Sequence, residues 1–325
     1  MIKKYYNKIP TKLEVQRSKG MIKLKRLEFI ITYACSSNCK HCSLGEKLKT
    51  GGHLSAEKMK GILGKLHNYY DLESVMCFGG EPLLFYKDVE GIMEEMGNVP
   101  KKQIITNGYF NKNRAETERA VWGLNRAGVT DILLSVDVFH QETIPLEVVL
   151  EFAGMVVRYG IPIKVHPAWL VHKEHNNRFN ETTKELLTGF INMGIPVSSG
   201  NNITPTGNAI KYLNEFYSDV KPNMNFKCGE IKYTPNLDRV DTVTIGPGGE
   251  VLICGIKIGN IFERDIINIL NDYNPRDNPI SKSLVDGGIK GLIDYSLAKG
   301  ILTNYKECKT ACEICHKITD ELQKA

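Results

Sequence analysis

Between residues 27 and 198, short apolar β-rich runs alternate with longer stretches of helical period, and few architectures accommodate that alternation. The runs are Leu27–Tyr33, Ser74–Phe78, Lys102–Thr106, Asp131–Val136 and Ile161–Val165, with a weaker sixth near Ile195–Ser198. Helical patterns lie between them near 55–68, 87–97, 113–127, 145–159 and 180–193. Strands so continuously apolar are covered on both faces, and strands separated by helices pair in parallel. Six such units are too few for a closed eightfold barrel. The expected fold is therefore α/β, a partial (β/α)6 TIM-like barrel. Ser55, followed by Glu57 and a periodic apolar face, is expected to cap the first helix.

After about residue 200 the character changes: Asn, Gly, Pro and Tyr become common and helical patterns shorten. Asp241–Ile253 (DTVTIGPGGEVLI) reads as a hairpin with a glycine-rich turn. The expected organisation is an N-terminal extension over 1–25, the barrel over 26–221 and a small cysteine-rich domain over 222–325. Lys plus Arg is 42 against 37 Asp plus Glu, a net charge of +5. That excess is too mild for a dedicated nucleic-acid binder. No apolar run approaches the ~18 residues of a membrane span, and the N-terminus lacks a signal-peptide core. The expectation is a cytoplasmic protein with neither nucleic-acid nor membrane partners. Nine cysteines are then anomalous, because a reducing cytosol favours metal binding or chemistry over disulfides.

Three of the nine, Cys35, Cys39 and Cys42, share one loop, ACSSNCKHC, directly after the first strand. In a barrel that loop sits on the C-terminal rim, where active sites collect. Three thiolates can hold three irons of a cubane and leave the fourth open, whereas a fully protein-ligated cluster uses four. The competing reading is a zinc knuckle with His41 as fourth ligand, but His41 adjoins Cys42, and neighbours rarely converge on one ion. Gly79-Gly80-Glu81-Pro82 ends the second strand. Its glycines let backbone approach a ligand closely, and Glu81 with the nearby carbonyls can accept bonds from an ammonium group.

C-x3-C-x2-C after the first strand and GGEP after the second resemble the radical S-adenosylmethionine (radical SAM) superfamily. Thr106-Asn107-Gly108 at the third strand, Ser135-Val136-Asp137 at the fourth and Pro205-Thr206-Gly207-Asn208-Ala209 extend the resemblance in order. It implies that Cys35, Cys39 and Cys42 ligate a [4Fe–4S] cluster whose open iron chelates S-adenosylmethionine. It further implies that Gly79, Gly80 and Glu81 hold the methionine amine and that Ser135 and Asp137 face the ribose and carboxylate. Asn107 belongs to the same pocket, and His41 takes a usually aromatic position near the adenine. The implied chemistry is reductive cleavage of the sulfonium to a 5′-deoxyadenosyl radical that abstracts hydrogen from substrate. A low-potential donor such as flavodoxin or ferredoxin would supply the electron.

Cys228, Cys254, Cys308, Cys312 and Cys315 occupy the tail, with Cys254 as the end of a Gly-x4-Cys and the last three in ECKTACEIC. The pattern looks like the SPASM/twitch extension of radical SAM enzymes. A full SPASM tail carries two auxiliary clusters; five cysteines imply one auxiliary [4Fe–4S] cluster. Its expected ligands are Cys228, Cys254, Cys312 and Cys315, or Cys308 in place of one of the last pair. The spare cysteine is a buried thiol or, if it faces the active site, a hydrogen donor. A structural zinc remains the alternative for this tail.

Cys77 reads as a small core residue, and Trp122 and Tyr69–Tyr70 as helix packing. His166, His172 and His175 read as a rim loop rather than a metal site, because no carboxylate–histidine pattern completes the set. Phe139, His140 and Gln141 would touch substrate or shape the rim. Members of the resembled family with such tails often modify peptides; others oxidise or build small molecules. The 34 residues before Cys35 are too few for a leader-recognition domain, so a peptide would meet the barrel mouth directly or through a partner. The expected substrate is a peptide or protein. The alternatives are a small-molecule dehydrogenase or cofactor-pathway enzyme, and a non-catalytic zinc-binding interaction protein.

Overall fold

The computed structural model describes residues 21–45, 52–230, 234–301 and 304–322. Of the expected N-terminal extension, residues 1–20 lie outside the described residues. β1 (Ile22–Ile30) leads to α1 (Ala56–Met59) and α2 (Ile62–Tyr69), and β2 (Ser74–Phe78) to α3 (Tyr86–Glu95). β3 (Lys101–Thr106) leads to α4 (Arg114–Arg126), and β4 (Asp131–Leu134) to α5 (Val138–Gln141) and α6 (Leu146–Arg158). β5 (Ile163–Val165) and the short β6 (Ala168–Trp169) precede α7 (Arg178–Asn192). Then come β7 (Asn201–Asn202), α8 (Asn208–Leu213), β8 (Val240–Ile245), β9 (Glu250–Ile253) and β10 (Ile256–Asn260). α9 (Ile266–Asn271), α10 (Pro279–Ala298) and α11 (Ala311–Leu322) close the chain.

β1 to β5 pair in parallel in chain order, as the alternation of strand and helix demands. The sheet's inward residues Leu27, Phe29, Val75, Cys77, Ile104, Ile132 and Val165 are fully buried against Leu63, Leu66, Ile92, Val121, Leu124 and Phe152 of the helices. Burial of each large apolar side chain contributes on the order of 1.5–3 kcal/mol, so these two layers dominate the fold. Cys77 is one of these core residues, with burial pushing its thiol upward.

The tail hairpin forms as β8 and β9, and it does not stand alone. β8 lies parallel to β1, with Leu27 opposite Val243 and Phe29 opposite Ile245. The sheet therefore runs β10-β9-β8-β1-β2-β3-β4-β5. This contact explains why β1 begins at Ile22 rather than Leu27: Ile22 pairs with Val240, a residue far away in sequence. The weak sixth strand is reduced to one bridge, Val165 to Val197. Pro196 there has no N–H and only accepts, from Val165.

Three local expectations are corrected. The helix near 55–68 breaks at Gly61, whose φ of 77° suits glycine and starts α2. Ser55 occupies the cap position of α1 without a side-chain bond; Asp88 of α3 accepts from the Ala56 N–H at 2.9 Å instead. Trp122 is 51% exposed, because the buried stripe of α4 runs through Ala120, Val121 and Leu124, and its ring stacks beneath Arg126. Tyr69 is buried and meets Tyr70 edge-on, as packing requires.

Candidate active site

The loop after β1 is fixed at its root before any cysteine is reached. Thr32, fully buried, accepts from the Ala34 N–H and donates to the Gly52 carbonyl. The end of β2 then locks onto the same root: Gly80 N–H donates to Thr32 O and Glu81 N–H to Ala34 O, each at 2.8 Å. A Cβ on Gly79 would lie 2.4 Å from Thr32 O, and one on Gly80 2.1 Å from Ala34 O. The glycine pair is therefore demanded first by backbone packing against the cysteine loop. Both glycines still line the cavity beyond.

The Glu81 side chain does not face that cavity. It is fully buried, with Leu83 N–H and Thr106 Oγ1 donating to Oε1 and Asn107 N–H donating to Oε2 at 2.8 Å. Burial pushes its carboxyl up to about 7 against those three donors. Glu81 thus ties GGEP to the Thr106-Asn107-Gly108 turn. Asn107 Oδ1 accepts from Tyr109 N–H, while Nδ2 points to Ser36 Oγ at 3.2 Å and to Cys35 Sγ at 3.7 Å.

A cavity of 630 Å³ opens at the C-terminal ends of the strands. Cys35, Cys39, Cys42, His41, Gly79 and Gly80 wall one side, with Asn107, Ser135, Asp137 and His140 beside them. His166, Asn201, Asn202, Thr204 and Thr206 form the far wall. Burial pushes Cys35 up to about 11 and Cys39 up to about 12, so both hold their protons until a cation replaces them.

Asp137 is fully buried and caps α5, accepting from Phe139 and His140 N–H. Its Oδ2 also takes Ala168 N–H and stands 2.8 Å from His140 Nδ1 and 4.0 Å from His41 Nε2. Burial opposes its charge, but His140, His41 and the hydrogen bonds outweigh that, and the carboxyl is held below its ordinary range. Burial lowers His41 to about 4, while on His140 Asp137 overcomes burial and raises the imidazole. Asp137 thus favours the charged form of His140, while burial favours the neutral form of His41. His41 lies 5.2 Å from the Phe139 ring, and its buried Nδ1 has no partner. Phe139 is buried against Phe179 and shapes the rim rather than lining the cavity. Gln141 Oε1 accepts from Asp137 N–H, which makes Gln141 part of the same rim.

Two parts of this site were not readable as site residues in the sequence. Asn208 donates to the Cys39 carbonyl at 3.0 Å through Nδ2 and to Cys42 O at 2.9 Å through its N–H. Gly207 leaves room for that grip, since a Cβ there would lie 2.5 Å from Cys42 O. The Pro-x-Gly-x-Ala pattern marked the segment without revealing that it clamps the cysteine loop. Ser37 Oγ sits 2.9 Å from Cys39 Sγ and 2.6 Å from Thr143 Oγ1.

His166 lines the cavity with Nδ1 2.7 Å from Ser198 Oγ. His172 and His175 lie edge to face in the following loop, which the buried Asn180 holds through Leu170, His172 and His175. These three histidines form rim and loop, as expected.

In the tail, α11 presents Cys312 and Cys315 one turn apart. Cys254 stands at the tip of the β9–β10 turn with φ 51°, followed by Gly255 at 81°. Burial raises Cys228 and Cys315 to about 12 and Cys254 to about 11, and the next causes are these thiols' charges on one another and Cys312's. Cys308 is set apart: after burial, its shift comes from Glu313 and Lys317. It is 2% exposed and is not on the cavity wall, where a hydrogen donor to substrate would have to be. Among the described residues, the one trio of His, Cys or carboxylate ligand atoms within 4.8 Å of one another is Cys39, His41 and His140. Cys35, Cys39 and Cys42 offer an all-thiol donor set on one loop at the cavity wall, which fits three irons of a cubane and leaves the fourth open.

An open parallel α/β barrel with a three-thiol loop on its rim defines a class of cluster-binding enzymes. The signature of the Radical SAM superfamily matches residues 29–204, and the chain belongs to that superfamily. Membership brings the [4Fe–4S] cluster and S-adenosylmethionine, and the tail cysteines are consistent with an auxiliary cluster. A Methanocaldococcus jannaschii protein named "Probable GTP 3',8-cyclase" is 30% identical over 123 residues, 37% of this chain and 40% of its own. YydG of Bacillus subtilis is 21% identical over 107 residues, 33% of this chain and 34% of its own. The chain thus spans less than half the length of either relative. Among solved structures, Streptococcus suis SuiB bound to the precursor peptide SuiA superposes with a TM-score of 0.57 at 18% identity, covering 85% of this chain and 70% of that one. No helix among the described residues is long and apolar enough to cross a membrane.

Proposed function

We propose that this enzyme modifies a peptide or protein through S-adenosylmethionine-derived radical chemistry. Cys35, Cys39 and Cys42 would hold the catalytic cluster, which supplies reductive cleavage of the sulfonium. The carbonyl edge of Gly79–Gly80 would receive the methionine amine, with Glu81 acting behind it by fixing the turn. Ser135 and Asn107 would meet the polar end of the nucleotide, Asp137 would orient His140 and His41, and the unpartnered Nδ1 of His41 would face the adenine. Residues 26–221 would form the catalytic unit. Residues 222–325 would carry one auxiliary [4Fe–4S] cluster on Cys228, Cys254, Cys312 and Cys315, leaving Cys308 unligated. A low-potential donor such as flavodoxin or ferredoxin would deliver the electron.

The observation that carries the substrate reading is the far wall. His166, Asn201, Asn202, Thr204 and Thr206 are polar, and no lysine or arginine is among the described residues lining the cavity. A nucleoside triphosphate brings several phosphate charges that need cations or bidentate arginines. The amide groups of a peptide need the neutral donors and acceptors present here. The name of SuiB's bound ligand, a precursor peptide, and that of YydG, which provisionally assigns it to peptide biosynthesis, point the same way. The test is anaerobic incubation with S-adenosylmethionine, a reductant and either GTP or short peptides encoded beside the gene, followed by mass spectrometry. A mass change in a peptide is expected; turnover of GTP or of a small alcohol alone would refute the peptide reading.

A further inference from the structure

We infer that Ser37 and Asn107 are positioning residues that raise the reduction potential of the cluster on Cys35, Cys39 and Cys42, which rests on reading those thiols as its ligands. A thiolate bound to iron has no proton and can only accept. The Ser37 hydroxyl, 2.9 Å from Cys39 Sγ, must then donate to it. Ser37 has one proton, so its 2.6 Å contact with Thr143 runs the other way, from the Thr143 hydroxyl to Ser37 Oγ. That choice turns Thr143 from its weaker partner, the His140 carbonyl at 3.3 Å. Two hydroxyls thus line up on one sulfur, each polarising the next. Ser37 is only 9% exposed, where such a bond is stronger than in water.

Cys35 is served separately. The Tyr109 N–H bond to Asn107 Oδ1 fixes the amide so that Nδ2 is the atom facing Cys35 Sγ, and Glu81 fixes the Asn107 backbone. Cys42 has no side-chain donor among the described residues; its carbonyl accepts from Gly45 and Asn208 N–H instead. Hydrogen bonds to the sulfurs are one of the factors that set an iron–sulfur potential. They stabilise the more negative, reduced state, so each donor makes the one-electron reduction easier.

Ser37 also pins the loop to the rim, together with the Lys40–Glu142 ion pair, so loss of activity alone would not separate tuning from support. The discriminating readout is the potential of the anaerobically reconstituted full chain, followed by the electron paramagnetic resonance signal that S-adenosylmethionine perturbs. Ser37→Ala and Asn107→Leu should retain wild-type iron, yet at a fixed potential their reduced-to-oxidised ratio should fall about three- to tenfold, tenfold being about 59 mV for one electron. Thr143→Val, which leaves Ser37 in place, should lower the ratio less, and Ser37→Thr should restore it. Unchanged ratios in iron-replete variants overturn the inference. If Ser37→Ala loses iron, Thr143→Val and Asn107→Leu decide, and unchanged ratios there overturn it equally. A wild-type loop that takes up no iron would sink the ligand assignment itself.

Discussion

Replacing Cys254 by Asn should stabilise the metal-free protein while removing iron from the metallated one. Ile253 pairs with Ile256, and Cys254-Gly255 between them have φ of 51° and 81°, the two-residue turn that favours Asn-Gly. A non-glycine L-residue in the left-handed region costs about 1–2 kcal/mol, which Asn relieves in part. With roughly 1 kcal/mol recovered, a chain this long should melt about 2 °C higher without metal. Cys254 is exposed at the turn tip, and after burial its thiol is raised by the charge of Cys312, so a strained backbone is retained at a residue electrostatically coupled to another tail thiol. Iron in the reconstituted variant should fall from about eight toward four per chain, because one cubane loses a ligand. Cys254→Ala should lose the same iron with no thermal gain, since Ala fits the left-handed turn no better than Cys. Differential scanning fluorimetry on the metal-free proteins and iron and sulfide analysis on the reconstituted ones read both signs. Lower melting of metal-free Cys254→Asn, or undiminished iron, would refute the idea that strain is retained for a ligand.

Replacing Cys35, Cys39 and Cys42 together with Ala should abolish 5′-deoxyadenosine formation, measured by chromatography; persistence would contradict their assignment. Gly207→Ala should deplete iron without touching a ligand, because its Cβ would lie 2.5 Å from Cys42 O, and wild-type iron content would argue against the clamp. Asn180→Ala should destabilise the chain by about 1–3 kcal/mol, since it strands the buried Leu170 carbonyl it serves; urea unfolding checks this. The Asp137–His140 pair should be pH-sensitive in the metal-free protein. His140 is raised on folding, so its stabilisation is full below its ordinary 6.5 and is lost as pH rises through the raised value. The melting difference between wild type and His140→Gln should therefore narrow from pH 6 to pH 9, and a widening gap would contradict the ion pair.

Features with a local cause could be read in the sequence; those set by distant contacts could not. β2 matches its expected span residue for residue, because SVMCF is apolar and bounded by turn signals. The start of β1 was hidden because IKLK carries alternating lysines and acquires its partner, β8, only some 200 residues later. The break at Gly61 did have a local sign, an isolated glycine inside a helical pattern. In the site, the motifs located the right segments but not the contacts their single groups make. Gly79 and Gly80 face the backbone of Thr32 and Ala34, and the Glu81 carboxylate closes on its own neighbours, because a buried charge must be satisfied before it can serve a ligand. Ser37 and Asn208 fill unspecified positions of their motifs, and only the folded loop gives them a partner.

The shared strand β1 also limits what the tail site can do. β8 runs parallel to β1, so its end lies toward the barrel mouth, and β9 returns antiparallel. Cys254, two residues beyond the Leu252–Thr244 pair, is level with Thr242 and hence with Arg26 of β1. The cysteine loop begins beyond Ile30, which is about 13 Å further along the strand, and β9 lies two strand spacings, about 10 Å, to the side. The Cys254 backbone is thus set roughly 16 Å from the end of β1, where the cysteine loop begins, by one continuous sheet. None of the tail cysteines lines the cavity among the described residues. A tail cluster so placed cannot ligate a substrate lying against the barrel mouth in this conformation. It can brace the fold or exchange electrons at a distance. Cys254 variants should therefore spare cleavage of S-adenosylmethionine, and whatever they lose in turnover reports on electron flow or stability rather than on substrate contact.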